Sequence, residues 1–426
     1  MIRPVLFSFF VRFMAALLNF TVIIMLSNEL GTIGKGICSR YITIIANALI
    51  FCDFVGGPPL VYMTARYSVS SILTPSYLWS LITSAITISV FFLFGQIAKE
   101  ELLLMILLSF LNSCIAIHQN ILSGKMKFTQ LNTVILIQAL LVFICLKYFF
   151  SLSGGSMELT PSPMHYLISL GISYGVGTML GFLLIMNLEK IGKQIGLFSF
   201  LREAFKYGFI NISGHALQFI NQRLSYFLLL PSPLGIFSNA SSVGESLWLI
   251  PNSMATVQYG KISNVQIKRD AERITLNFFK ANLYLSLFAS TVLLLIPDKF
   301  FVWLFGVDFT GMNQVLFYLV PGLFLFSGYL ILGHHFSGTG NFILNLQSIG
   351  IGLIITATGV GIILVSKITF NLQSAAILTT LSYTGNFVYS CRVFFKNSGL
   401  SYKELLLKKE DIHLFRKEIF NRAKRD

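Results

Sequence analysis

Apolar stretches of bilayer length recur along the whole chain, in runs such as 102–111, 285–296 and 351–365. Lipid offers a bare backbone no hydrogen-bond partner, so a spanning segment of about 20 apolar residues must close its own bonds as a helix. A membrane β-barrel would instead show short segments of alternating polarity. Composition agrees: 55% of the 426 residues are hydrophobic and 11% are charged, against about 25% charged in a soluble domain. The expected class is an all-α polytopic membrane protein.

Twelve spans are expected, near 5–27, 41–64, 75–97, 102–122, 130–150, 164–187, 207–230, 235–258, 274–297, 312–333, 344–366 and 370–391. An even number places both termini on one side. With that side inward, the N-terminus, inward loops and tail hold 22 Lys and Arg. The outward loops and adjoining helix ends hold six: Lys35, Arg40, Lys99, Lys147, Lys299 and Lys367. This bias assigns both ends to the cytoplasm, and it explains the net charge of +14 without invoking nucleic acid. The opening apolar run lacks a clear small-residue cleavage site and is expected to remain as the first helix. Cys38, Cys52, Cys114, Cys145 and Cys391 show neither a disulfide framework nor zinc spacing.

The expected organisation is an N-terminal six-helix lobe at 1–187, an amphipathic cytoplasmic linker at 188–206, a C-terminal six-helix lobe at 207–395 and a basic cytoplasmic tail at 396–426. The linker mixes Lys and Arg with Leu, Phe and Ile, as a helix lying along a leaflet does. The tail has the same character, and reads equally as a headgroup-bound segment or a solvated helix. Leu30-Gly31 and Leu234-Gly235 follow the first and seventh helices, each expected to mark a short outward turn of a duplicated architecture.

Ionisable residues at membrane depth are costly, and they pair with one another or face water. Four stand out: Arg12 and Asp53 on helices one and two, Arg223 and Glu245 on helices seven and eight. At about 1.5 Å per residue from the outer helix ends, Arg12 and Asp53 fall roughly 22 and 18 Å deep. Two readings stay open. The pairs could only tie helices together, or they could line a cavity in which guanidinium groups grip phosphate oxygens. In the second reading Asp53 and Glu245 take up a proton or sodium ion, giving coupling to an ion gradient without any bound cofactor. On helix seven Asn211, His215, Gln218, Gln222 and Ser225 recur at steps of four, three, four and three, which puts them on one helix face. Ser8, Arg12 and Asn19 repeat the pattern on helix one. Interhelical hydrogen bonds account for such stripes as well as a cavity lining does.

Helix four ends in His118, Gln119, Asn120 and Ser123, with the histidine read as hydrogen-bonded rather than catalytic, and His334-His335 is not read as a metal site. Gly56-Gly57-Pro58-Pro59 and Pro321-Gly322 are expected to bend their helices, as proline removes a backbone donor. No GxxxxGK[ST] loop is present, and every outward loop is short, which disfavours an ATP-driven pump and an enzyme.

Several motifs carry a likeness to a known family: Leu30-Gly31-x-x-Gly34-x-Gly36, Asp53-Phe54-x-Gly56 with Ala65-Arg66, and Asn221-x-Arg223-Leu224. Others are Leu234-Gly235-Ile236-Phe237-Ser238-x-Ala240, Glu245-x-Leu247-Trp248-x-Ile250-Pro251-x-Ser253, Phe305-Gly306-x-Asp308-Phe309 and Gly338-x-Gly340. In these the chain resembles the polysaccharide-repeat-unit flippases of O-antigen type, within the multidrug/oligosaccharidyl-lipid/polysaccharide exporter superfamily. Val55 and Pro58-Pro59 depart from the more usual Asp-Phe-Gly-Leu run. The resemblance implies two V-shaped six-helix lobes with alternating access, in the bacterial inner membrane. It implies an undecaprenyl-diphosphate-linked oligosaccharide as cargo, moved to the periplasmic leaflet for surface polysaccharide, with a glycan polymerase and glycosyltransferases as partners. The substrate-binding set is then Arg12, Arg223, Asn19, Asn211, His215, Gln218 and Gln222, and the ion-coupling set Asp53 and Glu245. A cation-coupled multidrug or metabolite exporter of the same fold is the alternative, and a membrane enzyme of glycan assembly the second.

Overall fold

The computed structural model describes residues 2–64, 66–153, 160–186, 188, 193–263, 265, 267–367 and 369–406. Eight of the described helices are long and apolar enough to cross a membrane, so the chain is a multi-pass, all-α membrane protein. The longest, α1 (Ile2–Gly56), is two legs joined at Gly31. Gly31 has φ +60° and ψ −168°, a conformation open to glycine and strained for any other residue. The outward turn expected after Leu30 is therefore a single residue, and the helix resumes at once. Lys35, expected near a loop, lies instead on the second leg, buried, with its ammonium donating to Ser39 Oγ at 2.7 Å.

The chain packs as two compact units, 1–239 with 299–310 and 240–298 with 311–426. In the first unit α2 (Pro58–Met63), α3 (Val69–Leu93), α4 (Leu102–Gly124), α5 (Phe128–Ser153), α6 (Pro163–Met186), α7 (Leu197–Arg223) and α8 (Ser225–Leu228) gather around the two legs of α1. Small residues make the contacts close. Ser76, Ser80, Ser84 and Thr87 form a buried row on α3, and Ser109 and Ser113 are buried on α4; side chains this small let helix backbones approach in lipid, where hydrophobicity does not drive association. Gly36 meets the start of α9 (Pro231–Glu245) so closely that a Cβ would overlap the Pro231 carbonyl oxygen. Gly235 does the same against the Thr32 carbonyl. Leu234-Gly235 thus lies inside a helix, as a contact point rather than the turn expected; the actual turn precedes Pro231.

Residues 197–206, expected to lie along the inner leaflet, are the first turns of α7. Phe200 and Ala204 are fully buried there among Leu60, Met63 and Ile121, which fixes the segment as part of a packed helix. Residues 189–192 of the expected linker and 407–426 of the tail lie outside the described residues.

The second unit comprises the end of α9, α10 (Leu249–Ser263), α11 (Lys268–Leu295), α13 (Met312–Gly338), α14 (Phe342–Val365) and α15 (Leu372–Ser398); the short α12 (Asp298–Phe305) packs with the first unit apart from its opening residue. The centre is α13, which buries residues on all its faces. Pro321 sits inside it without ending it. Thr380 of α15 donates to the carbonyls of Tyr318 and Leu319 at 2.5 and 3.4 Å, beside the proline.

Candidate functional site

Arg12 and Asp53 lie 19 and 22 positions on either side of Gly31. At about 1.5 Å per residue they fall roughly 28 and 33 Å from the bend, at matched levels and deeper than the sequence estimate. Folding α1 back at Gly31 brings them to one cavity of about 450 Å³, at the end of the first unit remote from the bend. Asp53 is half-buried and Arg12 exposed, with no ion pair between them among the described residues.

The remaining polar wall comes from α4. Gln119, Asn120 and Ser123 face the cavity together with Pro58 of α2 and Leu131 and Ile135 of α5. Asn120 Nδ2 donates to the Gly56 carbonyl at 3.3 Å and to the Ala116 carbonyl at 2.9 Å, so its amide holds the broken end of α1. The break occurs where expected: α1 ends at Gly56, and α2 begins at Pro58, a position where proline's missing donor costs nothing. Gln119 and Asn120 were visible in the sequence as the polar end of helix four, but spacing could not say that they face Arg12. His118 turns elsewhere, hydrogen-bonded to Tyr77 within the packed bundle.

The other expected site residues are not in this cavity. Asn19 is exposed on the first leg of α1, and the side chain of Asn211 lies outside the described residues. On α7 the stripe runs from exposed His215 through half-buried Gln218 to Gln222, whose Nε2 is buried without a hydrogen-bond partner. Arg223 ends α7 with its guanidinium 5.0 Å over the Tyr226 ring and donating to the Tyr226 hydroxyl at 3.1 Å. Glu245 ends α9, half-buried, in the second unit. Among the described residues no group of three or more His, Cys, Asp or Glu is placed to hold a metal ion.

At the same end of the first unit the turn after α2 meets the stretch before α7. Tyr67 donates to Glu203 at 2.8 Å, a bond that raises the pKa of the tyrosine hydroxyl and keeps it a donor. The Arg66 guanidinium lies 3.5 Å from the Tyr62 ring centre, and Tyr62 packs on Tyr207 with ring centres 4.2 Å apart.

No protein-family model matches the chain, and no curated protein matches it in sequence. Solved structures do match in fold. A structure described as the inward-facing conformation of a multidrug resistance MATE family transporter of the MOP superfamily superposes with a TM-score of 0.71 at 14% identity, covering 91% of this chain and 96% of that one. The lipid II flippase MurJ in an inward closed conformation gives 0.73 at 14% identity, over 94% and 89% of the two chains. An outward-facing MATE family transporter gives 0.59 at 14% identity, over 93% and 95%. The chain has the fold of MOP-superfamily transporters.

Proposed function

We propose that the chain is a flippase that moves undecaprenyl-diphosphate-linked oligosaccharide repeat units from the cytoplasmic to the periplasmic leaflet for surface polysaccharide. Both termini are then cytoplasmic, and the two six-helix lobes, 1–187 and 207–395, are the bodies that alternate. The observation that carries this reading is the cavity in which Arg12, free of an acidic partner, meets the amides of Gln119 and Asn120. A guanidinium supplies paired donors for phosphate oxygens, and amides supply donors and acceptors for sugar hydroxyls. The same fold carries a protein described as a lipid II flippase, which supports a lipid-linked cargo. Arg223, with Gln218 and Gln222 below it on α7, is a second phosphate or sugar contact in this reading. Asp53 and Glu245 are the carriers of a coupling proton or sodium ion.

The test is complementation of a deletion strain with Arg12→Met and Arg223→Met. Each is expected to lose surface glycan display by tenfold or more while its abundance in the membrane stays normal; full display with either variant removes that arginine from the phosphate contact. A cation-coupled multidrug or metabolite exporter is the second reading, favoured by the unpaired carboxylate of Asp53 in the cavity and by the multidrug transporters that share the fold.

A further inference from the structure

A second cavity, of about 660 Å³, opens on the first unit between the second leg of α1, α3 and α7. Its lining is almost wholly apolar. At one end Phe54 lies 6.1 Å from Phe205 and 5.9 Å from Phe209, ring centre to ring centre, and Trp79 meets Phe205 edge-on at 5.4 Å. The Trp79 indole donates to the Phe51 carbonyl at 3.0 Å, which holds the box in shape. At the other end Phe91 stacks on Phe227 at 5.0 Å. Along α7 the cleft runs from Phe205 to Leu224, roughly 28 Å at about 1.5 Å per residue and close to the whole hydrocarbon thickness of about 30 Å.

The cleft and the polar cavity share one helix as a partition. At about 100° per residue, Asn47, Phe51 and Phe54 lie on one face of α1 and Leu49 and Asp53 on the opposite face; the first three line the cleft and the last two the polar cavity. The aromatic box opens beside cations. Arg202 and Lys206 share the α7 face of Phe205 and Phe209 and are exposed, whereas Tyr207, which packs on Tyr62 beneath Arg66, lies about 200° round the helix from Phe205. Neither Arg202 nor Lys206 makes an ion pair among the described residues, and the acid beside them, Glu203, accepts from Tyr67 instead.

We propose that this cleft and its cationic mouth form a loading site for a polyprenyl phosphate lipid, with the phosphate at Arg202 and Lys206 and the prenyl chain along the aromatic wall. The occupant follows from length and chemistry. An acyl chain of one leaflet covers about half the hydrocarbon thickness, roughly 15 Å, whereas the cleft runs across nearly all of it. The methyl-branched alkenes of a prenyl chain offer C–H groups to the ring faces of Phe54, Phe205 and Phe209, and the two exposed cations, Arg202 and Lys206, match a phosphate head. The site deepens the flippase reading and rests on it, as the place where the lipid-linked cargo waits beside the cavity of Arg12.

Native mass spectrometry of the purified full-length protein tests it, with undecaprenyl phosphate and phosphatidylglycerol as separate probes. Undecaprenyl phosphate should be retained at least tenfold better than phosphatidylglycerol. The double variant Arg202→Gln, Lys206→Gln should lower its retention about tenfold, as should Ile86→Trp with Ile220→Trp, which fill the cleft from exposed positions that do not carry the fold. Equal retention of phosphatidylglycerol makes the cleft an ordinary lipid contact and overturns the proposal, as does unchanged retention in both variants, each taken as its monodisperse fraction. Selective retention in a strain whose glycan export ignores the gene overturns the flippase reading alone; glycan export that depends on the gene without selective retention overturns the loading site alone.

Discussion

Gly36 shows how little space single residues have where helices meet. Its missing side chain is what allows α1 to lie against the Pro231 carbonyl. Gly36→Val should destabilise the protein by about 1–3 kcal/mol, the usual cost of overpacking, and lower the melting temperature in detergent; an unchanged melting temperature would mean that this contact is not made. At Asp53 the expected effect is functional. Asp53→Asn keeps the shape of the side chain but cannot exchange a proton or hold a cation by charge, so transport measured in vesicles under imposed sodium or proton gradients should lose its gradient dependence. Unchanged dependence removes Asp53 as the coupling group. Arg12 and Asp53 were legible in the sequence because charge is so costly in lipid that each charged residue stands out. Gln119, Asn120 and Ser123 were not assigned to the site, since their facing Arg12 depends on the rotation of α4 within the bundle, which tertiary packing sets.

The helices themselves were largely legible, because a spanning segment must be continuously apolar over a fixed length. Their ends were less so. The start of α7 carries Lys, Arg and Phe in the mixture of a surface helix, and only the burial of Phe200 and Ala204 shows that it belongs to the bundle. Leu-Gly occurs twice with the same local sequence, yet Gly31 bends a helix and Gly235 lets one pass another closely, a difference that lies in the partners and not in the dipeptide. Proline was expected to bend its helix at both places; at Gly57-Pro58 one helix ends and another begins, whereas α13 runs on through Pro321, with the Thr380 hydroxyl donating to the carbonyls of Tyr318 and Leu319. Thr380→Val therefore removes a hydrogen bond without changing shape, and should cost about 1 kcal/mol, read as a lower melting temperature. Gly322, whose Cβ would come within 2.5 Å of the Thr380 Cα, should tolerate substitution far less well.

For the whole molecule, the fold reached from hydropathy and motifs is the one found, that of MOP-superfamily transporters. The cargo is a finer matter, as one fold carries proteins described as multidrug transporters and as a lipid II flippase. The features that bear on it are the arginine among amides in one cavity and the aromatic cleft with a basic mouth beside it. The most direct measurement is deletion of the gene, followed by assay of surface polysaccharide together with mass spectrometry of lipid-linked repeat units. A flippase requires loss of surface glycan with undecaprenyl-linked units accumulating on the cytoplasmic face, both restored by the wild-type gene and neither by Arg12→Met. Normal surface glycan with heightened sensitivity to toxic compounds would contradict it and identify a small-molecule exporter instead.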